Sequence, residues 1–275
     1  MNIDIRPATK RDIPALCEIW QACFHDSDEY LKLFYEENFG YAEILILTVD
    51  GEPASMVHFF DAELVDGKEF LSAKYGYAVG TLPKFRKKGY FHILMKYVME
   101  RAKKKGDVLI YKPATRSLGN LFIGLGAKHD TDYRLLSIEP GKKRELSVYD
   151  ISSEEYNKLR NEAFSDTPYV RWHDEYIRWC IKDNAFFGGR TLGFDWEGKS
   201  CFIMCYPEDE TLIISETNLS PKQLKVLSGT LCSLFDTKHI KAYMDESTCD
   251  EGEKVIATVL YNAPIKHTYV NLLLI

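Results

Sequence analysis

The 275-residue sequence predicts a mixed α/β fold, an α+β arrangement of two successive lobes, each a mixed central sheet flanked by helices. Three observations carry that expectation. Apolar residues switch repeatedly between a period of two and a helical period. The first half reads strand, helix, helix, three strands, loop, helix, and the second half follows nearly the same order. Between them lie Glu139, Pro140, Gly141, Lys142, Lys143 and Arg144, a polar, turn-forming stretch that places the domains at residues 1–140 and 145–275. No sequence-level repeat links the halves, so the duplication is a matter of pattern alone.

Ile3 and Ile5 alternate with polar residues before Pro7 stops the strand. Thr9 then caps a helix along which Ile13, Leu16, Cys17, Trp20 and Phe24 recur at helical spacing, and residues 30–39 read as a second helix. Strands over 44–49 and 54–64 flank the Asp50-Gly51 turn pair as a hairpin, and a further strand over 70–81 follows Asp66-Gly67. After a basic loop, Phe91, Leu94, Met95, Val98 and Ala102 mark one face of a helix over 90–104. A buried-type strand over 107–111, a helix over 117–123 and a strand over 132–138 complete the half.

In the second half Ser152, Ser153, Glu154 and Glu155 cap a helix, and residues 174–182 form another. Strands over 191–196 and 199–206 turn at Glu197-Gly198. A strand over 211–216, a helix from Pro221 to about residue 235, and strands over 240–244 and 268–275 close the chain. Trp172, His173, Tyr176 and Trp179 share a helical spacing that suits packing of this lobe, with an aromatic acceptor pocket as the alternative.

Composition narrows the function. Hydrophobic residues make up 45% of the chain and charged residues 28%, so it folds around real cores rather than remaining disordered. No apolar run approaches the roughly 20 residues of a membrane span, and residues 1–6 lack the apolar heart of a secretion signal, so a soluble, cytoplasmic protein with no membrane partner is expected. Seven scattered cysteines read as free thiols, and no His/Cys/Asp spacing suggests a metal. The net charge of −6 is uneven: residues 1–73 hold 5 basic and 15 acidic side chains, residues 74–146 hold 17 and 6, and residues 147–275 hold 13 and 20. A basic middle suits an anionic cofactor, and acidic flanks suit a cationic acceptor. Nucleic acid is not expected as a partner at a pI of about 5.7.

The chemistry concentrates in Val79, Gly80, Thr81, Leu82, Pro83, Lys84, Phe85, Arg86, Lys87, Lys88, Gly89, Tyr90 and Phe91, which join a strand end to a helix start. Unpaired amides, the positive end of the helix dipole, a glycine that admits close approach and three cations make an anion site fit for a diphosphate. A solvated basic helix start with a turn glycine is the plainer alternative. The stretch resembles the pyrophosphate loop of the GNAT superfamily of acyl-CoA-dependent N-acyltransferases, in which Arg or Gln is followed after two residues by Gly and then, after one more, by Gly or Ala. Arg86 and Gly89 match, while Phe91 replaces the last small residue. The resemblance extends through Lys112, Pro113, Ala114 and Thr115 to the Leu118–Ala127 segment with Asn120 and Phe122, and covers about residues 3–138.

The resemblance implies tandem GNAT-like lobes, the second degenerate and without a CoA loop, because Thr217, Asn218, Leu219, Ser220 and Pro221 contain neither arginine nor glycine. It implies acetyl-CoA in a wedge between the strands near Thr81 and Leu109, with amides of Gly80 and Thr81 on the acyl and pantetheine groups and residues 86–91 on the pyrophosphate. Thr115, Asn120 and Phe122 are carried over as cofactor-binding positions. The family commonly has a Tyr four residues before the closing glycine to protonate the departing thiolate; here Phe122 precedes Gly126, and Tyr111 and Tyr133 are the substitutes to consider. Candidate groups at the acceptor are His58 as base and Tyr75 and Tyr77 as a base or as cavity lining. The terminal carboxylate of Ile275 is a further candidate, as in tandem GNAT-like N-myristoyltransferases. The expected activity is transfer of an acetyl group to a primary amine of a small molecule or peptide. The rivals are a non-catalytic CoA-binding sensor or scaffold, and an aminoacyl transferase acting on tRNA or peptidoglycan.

Overall fold

A computed structural model describes residues 1–245, 249–266 and 268–271, the side chains of 256 and 257 excepted. The chain forms two compact units, the first comprising residues 1–64, 70–129 and 259–264, the second residues 65–69, 130–258 and 265–275.

The first unit opens with β1 (Ile3–Pro7), α1 (Ile13–Phe24) and α2 (Asp28–Asn38), followed by β2 (Glu43–Val49), β3 (Glu52–Asp66) and β4 (Glu69–Thr81). Then come α3 (Tyr90–Lys105), β5 (Val108–Tyr111) and α4 (Arg116–Gly124). The sheet runs β1-β2-β3-β4-β5; β1 and β2, and β2 and β3, are antiparallel, whereas β4 and β5 are parallel. Asp50 and Gly51 both have positive φ, the turn that the Asp-Gly pair predicts. Asp12 lies in a short 3-10 turn before α1 and holds Arg6 through two hydrogen bonds of 2.8 Å. Ser27 caps α2 by accepting from the Tyr30 amide, and the buried faces of α1 and α2 bring Leu16, Ile19, Trp20, Tyr30, Phe34 and Tyr35 onto the sheet. Residues 259–261 pair antiparallel with β5, Val259 opposite Tyr111.

The second unit contains β6 (Lys128–Ile138), β7 (Tyr149–Asp150), α5 (Ser153–Ala163), β8 (Tyr169–Trp172), α6 (Asp174–Phe186), β9 (Arg190–Trp196), β10 (Lys199–Glu208), β11 (Thr211–Thr217), α7 (Pro221–Phe235) and β12 (His239–Asp245); β13 (Glu253–Tyr261) begins in the second unit, and its residues 259–261 belong to the first. Strand order from β6 is β6-β12-β11-β10-β9-β7, and β11 and β12 are parallel with α7 crossing between them. That crossing repeats the β4-α3-β5 connection of the first unit. Leu192, Phe202, Leu212, Ile214, Leu224, Leu227 and Ile240 are buried, most of them in one apolar cluster.

Several expectations change. The strand over 132–138 pairs with β12 rather than within the first lobe, and residues 259–261 supply the strand beside β5. Residues 141–144 are no loose linker: the Gly141 amide donates to Ser228 Oγ at 2.8 Å, and the Arg144 amide donates to Thr230 Oγ1 at 2.7 Å, strapping them along α7. Trp172 lies on β8 instead of a helix, its Nε1 donating to the Asn271 carbonyl. Within the closing segment Tyr269 forms a parallel bridge to Tyr169; the remainder of that expected strand, from Leu272, lies outside the described residues.

The second unit also buries a charge network that sequence patterns do not show. Glu216 accepts from Arg160 Nε at 3.1 Å, from Tyr156 Oη at 2.6 Å and from Tyr269 Oη at 3.0 Å, and Arg160 donates to the Val170 carbonyl at 2.6 Å. Hydrogen bonds to both partners of this kind help make an ion pair tolerable away from water.

Candidate functional site

Parallel pairing of β4 with β5 runs from Ala73 opposite Val108 to Gly76 opposite Tyr111, and there β5 ends. β4 continues to Thr81, so its last five residues have no β5 partner and the strands part. On its other edge β4 stays tied to β3: the Leu82 amide donates to the Ala54 carbonyl at 3.0 Å, and Ser55 Oγ donates to the Gly80 carbonyl at 2.7 Å. Alternation along an extended chain then turns the amides of Val79 and Thr81 toward the side that β5 leaves open, and the Gly80 amide toward β3. Ala78 has φ +47°, a left-handed kink at the point where pairing is lost. A β-carbon on Gly80 would come within 3.1 Å of Cys23 Sγ and Ile19 Cγ2, so glycine lets α1 close on the strand end.

The loop after β4 makes one 3-10 turn at Pro83–Phe85 and reaches α3 through Lys87 at φ +61° and Gly89 at φ +86°. Gly89 is the N-cap residue of α3, and no side chain caps that helix. Its first-turn amides therefore point outward beside the exposed Lys87 and Lys88. Arg86 is spent differently from the expected direct grip on phosphate: Nε donates to the Thr81 carbonyl at 2.9 Å and Nη2 to the Ala22 carbonyl at 3.2 Å and to Cys23 Sγ at 3.4 Å. It clamps the loop to the end of β4 and to α1. Tyr90 is buried with its hydroxyl on Met1 Sδ, and Phe91 packs 5.8 Å from Phe122, so both fasten the helix start to the core. Thr115 Oγ1 accepts from the Leu118 amide as the N-cap of α4, and Asn120 is exposed.

His58 is fully buried among Trp20, Phe34 and Tyr35, with Nε2 3.2 Å from Tyr35 Oη. Burial pushes its pKa down to about 3, against a smaller opposing effect of the Ala78 and Tyr77 backbone. A sealed, neutral imidazole cannot exchange protons with a substrate, and the base role expected for His58 does not hold. Tyr75 is buried and Tyr77 half-buried, the latter packed against Trp20 and Phe34 with its hydroxyl 3.4 Å from that of Tyr30. Tyr77 is thus the more accessible member of the pair. Tyr133 belongs to the second unit, where its hydroxyl accepts from the Val270 amide. Ile275 lies outside the described residues.

Two residues named in the sequence analysis, Tyr111 and Lys112, lie where the strands part. The Tyr111 ring lies on Gly76, where an added β-carbon would sit 2.1 Å from Tyr111 Cε1, and Phe122 stacks on it with centroids 4.4 Å apart and planes 15° apart. Next to it Lys112 is desolvated enough that its pKa falls to about 8. The strand expected over 107–111 ends at this point; what only the fold shows is that β4 runs on alone past it.

Among the described residues no helix is long and apolar enough to cross a membrane. Residues 4–116 match the acetyltransferase (GNAT) domain family. No curated protein matches the chain. Among solved structures, a probable N-acyltransferase from Enterococcus faecalis aligns over 94% of this chain and 72% of its own at 12% identity, TM-score 0.74. A GCN5-related N-acetyltransferase from Anabaena variabilis aligns over 95% and 73%, also at 12% identity and TM-score 0.74. A tandem GNAT protein from the clavulanic acid biosynthesis pathway aligns over 96% and 100% at 10% identity, TM-score 0.57. At such identities the likeness is one of fold, and it runs through both units. The strand that outruns its parallel neighbour, the uncapped helix start and the matched segment agree with one another: residues 4–116 are similar to the GNAT acetyltransferase domain.

Proposed function

We propose that the chain is an N-acetyltransferase that binds acetyl-CoA in its first unit and moves the acetyl group to a primary amine of a small molecule or peptide by direct attack. The observation that supports this most is the run of β4 past β5 into a helix with an open start. A diphosphate suits the α3 start, where outward amides, the helix dipole and Lys87 and Lys88 act together. The amides of Val79 and Thr81 offer the ladder bonds that β5 no longer takes, to a pantetheine amide and to the thioester carbonyl. A donor already aimed at that carbonyl strengthens as oxyanion character develops, an effect typically worth about 3 kcal/mol for one such group. Arg86 holds both features in register. With His58 sealed, water receives the proton of the attacking amine. The acidic excess in residues 1–73 favours a cationic acceptor such as an aminoglycoside, a polyamine or a peptide amine.

Calorimetry with acetyl-CoA tests the site. Gly89→Ala forces an L-residue into a left-handed conformation that costs about 1–2 kcal/mol, and Arg86→Ala frees the loop, so each variant should bind roughly tenfold more weakly. Unaltered affinity in both would overturn the assignment. Release of CoA thiol over a panel of amines then separates an enzyme from a CoA-binding sensor, the reading that Phe122 at the usual acid position favours; binding without acceptor-dependent thiol would establish the sensor.

A further inference from the structure

We propose that Ser55 is a positioning residue for the donor's pantetheine arm: its hydroxyl sets the Gly80–Thr81 peptide and the Thr81 side chain as a matched donor and acceptor for one amide of that arm. This rests on the acetyl-CoA reading above. Ser55 lies on β3 and is fully buried, although it is polar. Its Oγ donates to the Gly80 carbonyl at 2.7 Å and lies 2.9 Å from Thr81 Oγ1. The Gly80 carbonyl and the Thr81 amide are opposite ends of one planar trans peptide. Holding the oxygen at β3 therefore aims the N–H away from β3, to the side that β5 leaves open. A donor on the oxygen also polarises the peptide and strengthens that N–H.

Counting protons fixes the other half. A serine hydroxyl carries one proton, and Ser55 gives its own to Gly80, so Thr81 Oγ1 is the donor between the two hydroxyls. The hydroxyl of Thr81, a half-buried residue, then offers a ligand only its lone pairs. The Thr81 carbonyl is taken by Arg86 Nε at 2.9 Å and has Cys23 Sγ at 3.5 Å. What Thr81 presents is therefore one donor, the amide, and one acceptor, the hydroxyl, which is the complement of a secondary amide. Thr81 stands between Val79 and the start of α3, so a donor with its diphosphate at that start passes Thr81 before its thioester reaches Val79. Ser55 touches none of this ligand and acts through β4.

Calorimetry with CoA and with adenosine 3′-phosphate 5′-diphosphate, the same nucleotide without the arm, separates positioning from general support of the strand end. In Ser55→Ala, CoA should bind about fivefold more weakly, the worth of one hydrogen bond, while the nucleotide binds as it does to the unmodified protein. Turnover with the best acceptor of the panel should show the same factor in KM for acetyl-CoA at constant kcat. A measurement on the unmodified protein needs no variant to fold. A CoA analogue with esters in place of the arm's amides has no N–H for Thr81 Oγ1 and should also bind about fivefold more weakly than CoA. Equal CoA affinity in Ser55→Ala, equal losses for CoA and the nucleotide, or undiminished binding of the ester analogue would overturn the role of Ser55 while leaving the CoA site standing. Failure of the unmodified protein to bind CoA would instead remove the reading on which it rests.

Discussion

At the scale of single residues, burial decides which of the legible candidates can do chemistry. His58 stood out as a mid-strand histidine, yet its aromatic surroundings make it a liability in acid. Unfolded, it titrates near 6.5; folded, near 3. Between those values the unfolded chain binds a proton that the native state refuses, so stability rises with pH, and falling pH costs about 1.4 kcal/mol per unit. His58→Gln should flatten the dependence of unfolding free energy on pH between about 6 and 4 by that slope, measured by denaturant titration. An unchanged slope would mean that the ring is hydrated. Tyr111 is sealed in the same way: its type and strand position were visible, but the burial of its hydroxyl was not. Arg86 and Gly89 were legible because a loop motif is local; that Arg86 spends its donors on Thr81 and Ala22 depends on α1, more than sixty residues away.

Elements with strong local signals came through the sequence well. The Asp50-Gly51 and Glu197-Gly198 hairpins and the helix capped by Ser152 stand where turn and capping chemistry place them. β8 did not: four residues are too few to show a period of two, and Trp172 happens to continue the spacing of Tyr176 and Trp179 backward out of α6. The pairing of β6 with β12 and of residues 259–261 with β5 escaped because register across more than a hundred residues leaves no local trace. The sharpest contrast lies between two helix starts. At α7, Ser220 Oγ accepts from the Gln223 amide, Gln223 Oε1 accepts from the Ser220 amide, and Pro221 has no amide to offer. At α3 nothing of the kind occurs. Ser220→Ala should therefore lower stability by about 1 kcal/mol, read as a drop in Tm, without altering acetyl-CoA affinity; a loss of affinity would show that α7 also serves the ligand.

For the molecule as a whole, the two units share a parallel strand-helix-strand crossing but differ in what the crossing helix offers. One start is open and the other is sealed by its own side chains, so acetyl-CoA should bind with a stoichiometry of one per chain in calorimetry. Two equivalents would mean that the second crossing also accepts a nucleotide. The doubled architecture was visible in the order of elements, whereas the use of residues 259–261 in the first unit was not. That late segment has a consequence for biosynthesis. During translation β5 leaves the ribosome with one edge bare, and its antiparallel neighbour is not made until more than a hundred further residues have followed. The nascent amino-terminal half must wait for its final strand, exposed meanwhile to mispairing that chaperones would have to restrain.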